Sequence, residues 1–319
     1  MNKYLIRLIK VIAFIGIIYL IFVMVKNRDS ISIVKSLLLG LSFEQFLFIG
    51  FVFLLQFLNW ILEAYKFKLI LAKKEQISFS KSVVAVYIGN ASSLFTPDRL
   101  GNFIGRAFHL REINKIVVTS ATMLGNLAQL WSTLIFAFIG MFLYVSSNNY
   151  ITIVYTSPVV ILAIIILLNF LVALVYFYPR ALVSFVLRFK ILKKQRHNFF
   201  FLAKYRKSSL ALFLSLSIIR YLIFIGQFYI LLFVFGIDLE LIELLIFIGL
   251  MYFVTTLIPS PILGNLGTRE LVAIYLLSYY NQPESILVAS LLIWLINVIF
   301  PALLGFVFAF NLNLYKKDL

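Results

Sequence analysis

The chain has 319 residues, of which 63% are hydrophobic, 17% aromatic and only 13% charged, and its mean hydropathy is +1.05. Soluble domains hold roughly 45–50% apolar residues, so water is excluded as the main solvent; apolar runs recur along nearly the whole length, which predicts one membrane domain over 1–319 with no soluble catalytic domain attached. The net charge of +16 sits in a few short loops, the pattern of loops held against anionic lipid and not of a nucleic-acid-binding face, and the absence of Cys removes disulfides, thiolate metal sites, iron–sulfur clusters and thiol nucleophiles.

A spanning helix needs about 20 apolar residues. The first stretch that qualifies is Tyr4 to Val25, with Arg7 and Lys10 snorkelling at its start. Lys26, Asn27 and Arg28 stand where a small-residue cleavage site would lie, so a retained helix is expected over a signal peptide. Phe46 to Tyr65 follows as the second span. Ser82 to Leu110 is apolar but interrupted near its middle by Pro, Gly and polar residues, so it does not read as one continuous helix. Ile116 to Val145 and Ile153 to Phe177 are the third and fourth spans, Leu210 to Phe235 the fifth and Ser285 to Phe310 the sixth; between the last two, Leu241 to Leu277 is interrupted like the first broken stretch.

The loops orient these elements. Residues 180–207 carry Arg180, Arg188, Lys190, Lys193, Lys194, Arg196, Lys204, Arg206 and Lys207 with no acid, which predicts a cytoplasmic linker. Within it, Ser184 to Tyr205 mixes apolar residues with cations, the pattern either of an interfacial helix or of a plain basic loop. If each broken region enters and leaves on one side, both termini fall in the cytoplasm, and only Lys26, Arg28 and Lys35 fit poorly. The expected fold is all-α, a polytopic membrane protein with six spanning helices plus two inverted re-entrant helical hairpins. Its half-repeats run roughly over 46–145 and 210–310.

The two broken regions share a motif. Leu100-Gly101-Asn102 leads to Arg106, and Leu263-Gly264-Asn265 leads to Arg269, with a Pro three or four residues before each Gly. Three spans separate the copies, so the hairpins enter from opposite faces as an inverted repeat. Such paired interruptions point to a transporter binding site near the bilayer midplane, because broken helices present uncapped N–H groups and positive dipole ends to an anion. An Arg at membrane depth costs roughly 2.5–3.5 kcal/mol and so faces a cavity or a partner; Arg99, Arg106, Arg220 and Arg269 are the candidates, and guanidinium matches phosphate bidentately. Against headgroup contact stands a purely structural alternative, in which Arg269 pairs with Glu270 and Arg99 with Asp98 to hold the hairpins closed. Gly101-x-x-x-Gly105 reads as close helix packing.

Weaker signals complete the reading. Glu63, Asn126, Gln129, Gln227 and Asn297 either line a path or bond between helices, the commoner role. His109 and His197 lack ligand spacing, so no metal and no cofactor is expected.

At the hairpins the sequence resembles the flippase-like membrane domain of lysylphosphatidylglycerol synthases and its stand-alone relatives. Pro97, Arg99 and Gly101, followed by Arg106, are similar to that family's P-x-R-x-G-E element and its following Arg, with Asn102 where the family has Glu. Gly264, Leu266, Gly267, Arg269 and Glu270 match its P-G-G-L-G-x-R-E signature, with Asn265 in place of the second Gly. The resemblance implies a cell-membrane protein that moves a phosphate-bearing or polyprenyl-phosphate-linked lipid between leaflets, without enzymatic activity. The implied partners are those anionic lipids and a partner glycosyltransferase or lipid synthase. The expected headgroup contacts are Arg99, Gly101, Asn102, Arg106, Arg220, Gly264, Asn265, Gly267 and Arg269, with Glu270 positioning Arg269. Two other classes stay open: a membrane transferase using Glu63, Asp98, His109 or Glu270 as base, and a non-transporting scaffold for a partner enzyme.

Overall fold

A computed structural model describes residues 32, 35–37, 39–96, 99–146, 157–186, 188, 196–258 and 266–314. Among these the chain is all-α, without strands. The helices are α1 (Phe43–Leu71), α2 (Phe79–Ser93), α3 (Gly101–His109), α4 (Lys115–Ser146), α5 (Pro158–Phe177), α6 (Pro179–Val186), α7 (Arg196–Phe199), α8 (Lys207–Val234), α9 (Leu241–Leu257), α10 (Thr268–Leu276), α11 (Pro283–Trp294) and α12 (Phe300–Leu314). Five rods are long and apolar enough to cross a bilayer: α1, α4, α5, α8 and the α11–α12 rod over Pro283–Phe310. The span expected at Tyr4 to Val25 lies outside the described residues.

Local chemistry sets the element ends. Ser42 and Gln45 form a capping box that opens α1, Ser78 caps α2, and prolines open α5 and α11, where a missing N–H costs nothing. Inside the last rod Pro301 cannot donate to the carbonyl four residues back, and the helix widens there: Leu295–Ile299 is a π-helical turn in which Phe300 N–H reaches the Leu295 carbonyl.

The two interrupted regions fold back as short arms. At 15 and 9 residues, α2 and α3 rise about 22 and 14 Å, short of the roughly 30 Å of hydrocarbon. They close on each other through glycine: a Cβ on Gly101 would lie 2.0 Å from the Ser92 carbonyl oxygen and one on Gly105 2.7 Å from that of Ile88, so Gly101-x-x-x-Gly105 is a packing seam. Helices α9 and α10 pair likewise.

Between the two halves the packing is reciprocal. Helix α1 lies on α8, α4 lies on α9, and α12 lies on α2; the span that follows each hairpin covers the first arm of the other. Both crossings are glycine contacts. Gly249 sits where a Cβ would meet the Phe136 carbonyl at 2.5 Å, and Gly305 where it would meet that of Tyr87 at 2.1 Å. Lipid tails are as apolar as Leu, so such backbone approach and interhelical hydrogen bonds, not expulsion of water, hold the rods together.

Two differences from the sequence reading are instructive. Helix α1 runs six residues past Tyr65, because Lys66 is completely buried instead of marking the interface. The linker is not one amphipathic helix over its described part. It is broken into α6, α7 and a 3-10 turn at Leu202–Lys204, with Phe201 and Leu202 buried and the Tyr205 hydroxyl donating to the Ile70 carbonyl.

Candidate anion-binding cavity

Helix α1 carries Gln56, Asn59, Glu63 and Lys66, spaced by three and four residues and therefore stacked on one face. All four are buried. Glu63 is the hub. Its Oε1 accepts from Arg106 Nη2 at 2.9 Å; its Oε2 accepts from Lys66 Nζ at 2.9 Å and from Arg220 Nη1. Each cation is held further. Lys66 donates to Ser217 Oγ at 3.0 Å and the Gly125 carbonyl at 3.2 Å. Arg106 donates to Asn102 Oδ1 at 2.8 Å and lies 4.6 Å above the Phe67 ring, and Arg220 donates to Asn59 Oδ1 at 2.7 Å and Gln129 Oε1 at 3.1 Å. One carboxylate thus serves three buried cations.

Beside this hub lies a cavity of about 380 Å³, within the range of small-molecule pockets. Trp60, Gln129 and Arg220 form its floor, and Arg99 enters from the loop between α2 and α3. Thr255, Thr256, Ile258 and Arg269 come from the second hairpin, Asn297 and Val298 from the π turn, and Tyr221, Phe224 and Tyr252 give an aromatic wall. Three arginines from three separate parts of the chain meet here.

Two of the arginines are built in with care. Arg99 has φ +59°, left-handed backbone that costs a non-glycine residue about 1–2 kcal/mol. It donates to Asn90 Oδ1 at 2.9 Å, and Asn90 is itself fixed by the Val298 carbonyl at 3.1 Å. Arg269 Nη2 donates to Glu270 Oε1 at 2.9 Å and to the Ser290 carbonyl at 3.1 Å. Glu270 Oε2 in turn accepts the Gly267 N–H at 2.6 Å, at a residue whose φ of +85° suits only glycine.

The lining is also short of partners. Trp60 Nε1 and Arg269 Nε, both donors, and Asn297 Oδ1, an acceptor, are buried with no hydrogen-bond partner among the described residues. The Asn297 oxygen is free for a reason: Gln227 Nε2 is tied to the Val52 carbonyl, which leaves Gln227 Oε1 to take the Asn297 amide N–H at 3.0 Å. Nearly all buried polar groups are satisfied in folded proteins, so three such groups on residues that line one cavity mark its wall as polar and under-satisfied. Charge points the same way. Lys66, Arg99, Arg106, Arg220 and Arg269 face Glu63 and Glu270, an excess of three positive charges among the described residues.

Of the residues singled out in the sequence, Arg99, Arg220 and Arg269 line the cavity. Arg106 stands behind it on Glu63, and Glu270 stands behind Arg269. Gly101 packs on Ser92, Asn102 accepts from Arg106, and Gly267 begins α10. Gly264 and Asn265 lie outside the described residues. Gln129 and Asn297 line the cavity, whereas Gln227 bonds between helices. His109 ends α3 away from the lining, where burial and then Lys81 hold its imidazole below its ordinary range. Sequence reasoning missed Lys66, Asn59 and the cavity role of Trp60. The available signal was Glu63 and Lys66 at i, i+3 inside an otherwise apolar helix, a spacing that lets the two pair.

A family model described as the lysylphosphatidylglycerol synthase TM region matches residues 7–305. No curated protein and no solved structure matches the chain.

Proposed function

The chain belongs to the lysylphosphatidylglycerol synthase transmembrane family, and we propose that it moves a phosphate-bearing lipid between leaflets, the headgroup passing through the arginine-lined cavity while the acyl or polyprenyl chains stay in the bilayer. The observation that carries this reading is the convergence of Arg99, Arg220 and Arg269 on one cavity with a positive excess among the described residues. Charge buried in low dielectric without compensation is costly, and a phosphate bound there offsets that cost while accepting from several guanidinium forks at once. Thr256 and Ile258 are exposed at the rim, which suits entry of a headgroup whose tails remain outside.

The repeated motif and the reciprocal packing of the halves support alternating exposure of this cavity to the two faces. Here α2 and α3 with their flanking spans act against α9 and α10 with theirs. With no nucleotide motif in the sequence, the driving force is a gradient or equilibration. The carboxylates argue for a carrier over a transferase: both Glu63 oxygens are taken by cations, and both Glu270 oxygens by Arg269, Ser290 and the Gly267 N–H, which leaves neither free to act as a base. The protein is placed by this reading in the cell membrane with the basic linker in the cytoplasm, and a glycosyltransferase or lipid synthase supplies or consumes its lipid.

Reconstitution tests the proposal. Vesicles carrying a headgroup-labelled phospholipid, quenched from outside, report the rate at which label crosses. Arg269→Ala and Arg99→Ala are expected to lower that rate tenfold or more, the equivalent of losing about 1.4 kcal/mol of headgroup binding. Unchanged rates in both folded variants would remove these arginines from the mechanism.

A further inference from the structure

We infer that the cavity selects a terminal phosphate dianion, the headgroup of a phosphomonoester or diphosphate lipid, over a phosphodiester, and rejects headgroups that bear an added amine. This rests on the reading of the cavity as a headgroup site and deepens it.

The first argument is stereochemical. Arg99, Arg220 and Arg269 reach the cavity from the first hairpin, α8 and the second hairpin. On a phosphodiester, which has two non-bridging oxygens, three guanidinium groups must share acceptors. A terminal phosphate offers three, one for each guanidinium, and guanidinium donors are fixed forks that reward such matching.

The second argument is charge. The excess of three positive charges is a count over described residues, and subtracting Asp98 for its place next to Arg99 in the sequence still leaves two. A dianion balances that remainder where a monoanion does not.

The third argument excludes the amine. No Asp or Glu lies among the described residues that line the cavity, and the oxygens of Glu63 and Glu270 are all engaged behind it. An ammonium would meet three guanidinium groups with no carboxylate among the described lining residues to receive it. Nor do the aromatic walls offer a ready substitute: Arg220 already lies over Trp60 at 5.9 Å, and Tyr221 is stacked on Phe136 with centroids 4.4 Å apart. This selectivity runs against the aminoacylated lipid for which the family is named.

The experiment uses the full chain in nanodiscs at pH 8, where the second phosphate proton, with a pKa of about 6, is lost. Thermal protection and native mass spectrometry compare phosphatidic acid, phosphatidylglycerol, lysylphosphatidylglycerol and phosphatidylcholine, with inorganic phosphate and glycerol 3-phosphate as soluble arms. Phosphatidic acid is expected to bind at least tenfold more tightly than phosphatidylglycerol, and the lysylated and zwitterionic lipids to give no protection. Arg99→Gln, a change at an exposed residue, is expected to narrow the gap between phosphatidic acid and phosphatidylglycerol. Equal binding of those two, protection by the lysylated lipid, or an unaltered preference in Arg99→Gln overturns the inference. Protection by a soluble arm equal to that by phosphatidic acid overturns the assignment to a lipid. Headgroup crossing that still depends on Arg269 while no preference appears would sink this inference and leave the transport reading standing.

Discussion

The two hairpins carry the same Leu-Gly-Asn-x-x-x-Arg spacing and use its arginine in opposite ways. Arg106 in the first reaches out of its hairpin to Glu63, 43 positions back along the chain, and is locked over Phe67. Arg269 in the second takes its own neighbour Glu270 and the Ser290 carbonyl, leaves Nε without a partner among the described residues and lines the cavity. What differs is where the acid stands: on a separate helix in the first half, next in sequence in the second. A repeat can therefore supply a matched scaffold without a matched site. In the first half the cationic contribution to the cavity passes to Arg99, held at the hairpin tip in left-handed backbone.

The sharpest way to break this comparison is at Glu63. Replacing one partner of a buried ion network strands the others, at a cost of about 3–5 kcal/mol, and here three cations depend on one carboxylate. Glu63→Gln is expected to lose most of its folded, monodisperse protein on size exclusion, and adding Lys66→Met to restore part of it by removing one stranded charge. Normal stability of Glu63→Gln would show that Arg106 is not cemented, and the contrast with Arg269 would dissolve.

Glycine substitutions probe how firmly each hairpin is clamped. At Gly305 a Cβ would press the Tyr87 carbonyl at 2.1 Å, and at Gly140 the Leu245 carbonyl at 2.8 Å; backbone on both sides leaves little room to yield. Overpacking costs about 1–3 kcal/mol, so Gly305→Ala is expected to lower the melting temperature in detergent, and Gly140→Ala to lower it less. The reverse order would mean that the second hairpin is the more tightly held.

Swapping the matched arginines separates scaffold from site. Arg106→Ala leaves Glu63 with two cations and is expected to cost about 1–3 kcal/mol of stability, the penalty for an emptied buried hydrogen-bonding position, with transport by the surviving folded protein near wild type. Arg269→Ala is expected to show the opposite balance, slow headgroup crossing with a smaller thermal shift. Matched losses of activity in the two variants would return the repeat to functional symmetry.

Much of this arrangement is legible in the sequence because proline, glycine and membrane-depth arginine are informative where almost every other residue is apolar. Pro97 and Pro261 break the hydrophobic runs, and the shared motif directs attention to Arg106 and Arg269, of which only Arg269 lines the cavity. Lys66 was illegible for a physical reason. A lysine at the end of an apolar run looks like a snorkelling interface residue, and only the arrival of Gly125, Ser217 and the rest of the Glu63 network from other helices shows it to be interior. The order of Arg99 and Arg106 was hidden likewise, since which of the two faces the cavity depends on the φ at Arg99 and on the acid that captures Arg106. Gly101 carries two expectations, helix packing through Gly101-x-x-x-Gly105 and headgroup contact through the family resemblance, and its position against Ser92 is the packing one.

The smallest expected change in stability belongs to Arg99→Gly, and it tests the first hairpin's share of the site most directly. At φ +59° an arginine bears strain that glycine does not, about 1–2 kcal/mol, while glycine loses more freedom on folding by roughly 0.5–1 kcal/mol. These nearly offset, so the melting temperature should move little. Transport should nevertheless fall, because one of three cavity cations is gone, whereas Arg99→Lys, which keeps the charge and the strain but loses the planar fork, should fall between. Wild-type crossing by a folded Arg99→Gly would mean that Arg220 and Arg269 suffice for the anion and that the first hairpin serves the second only as a wall.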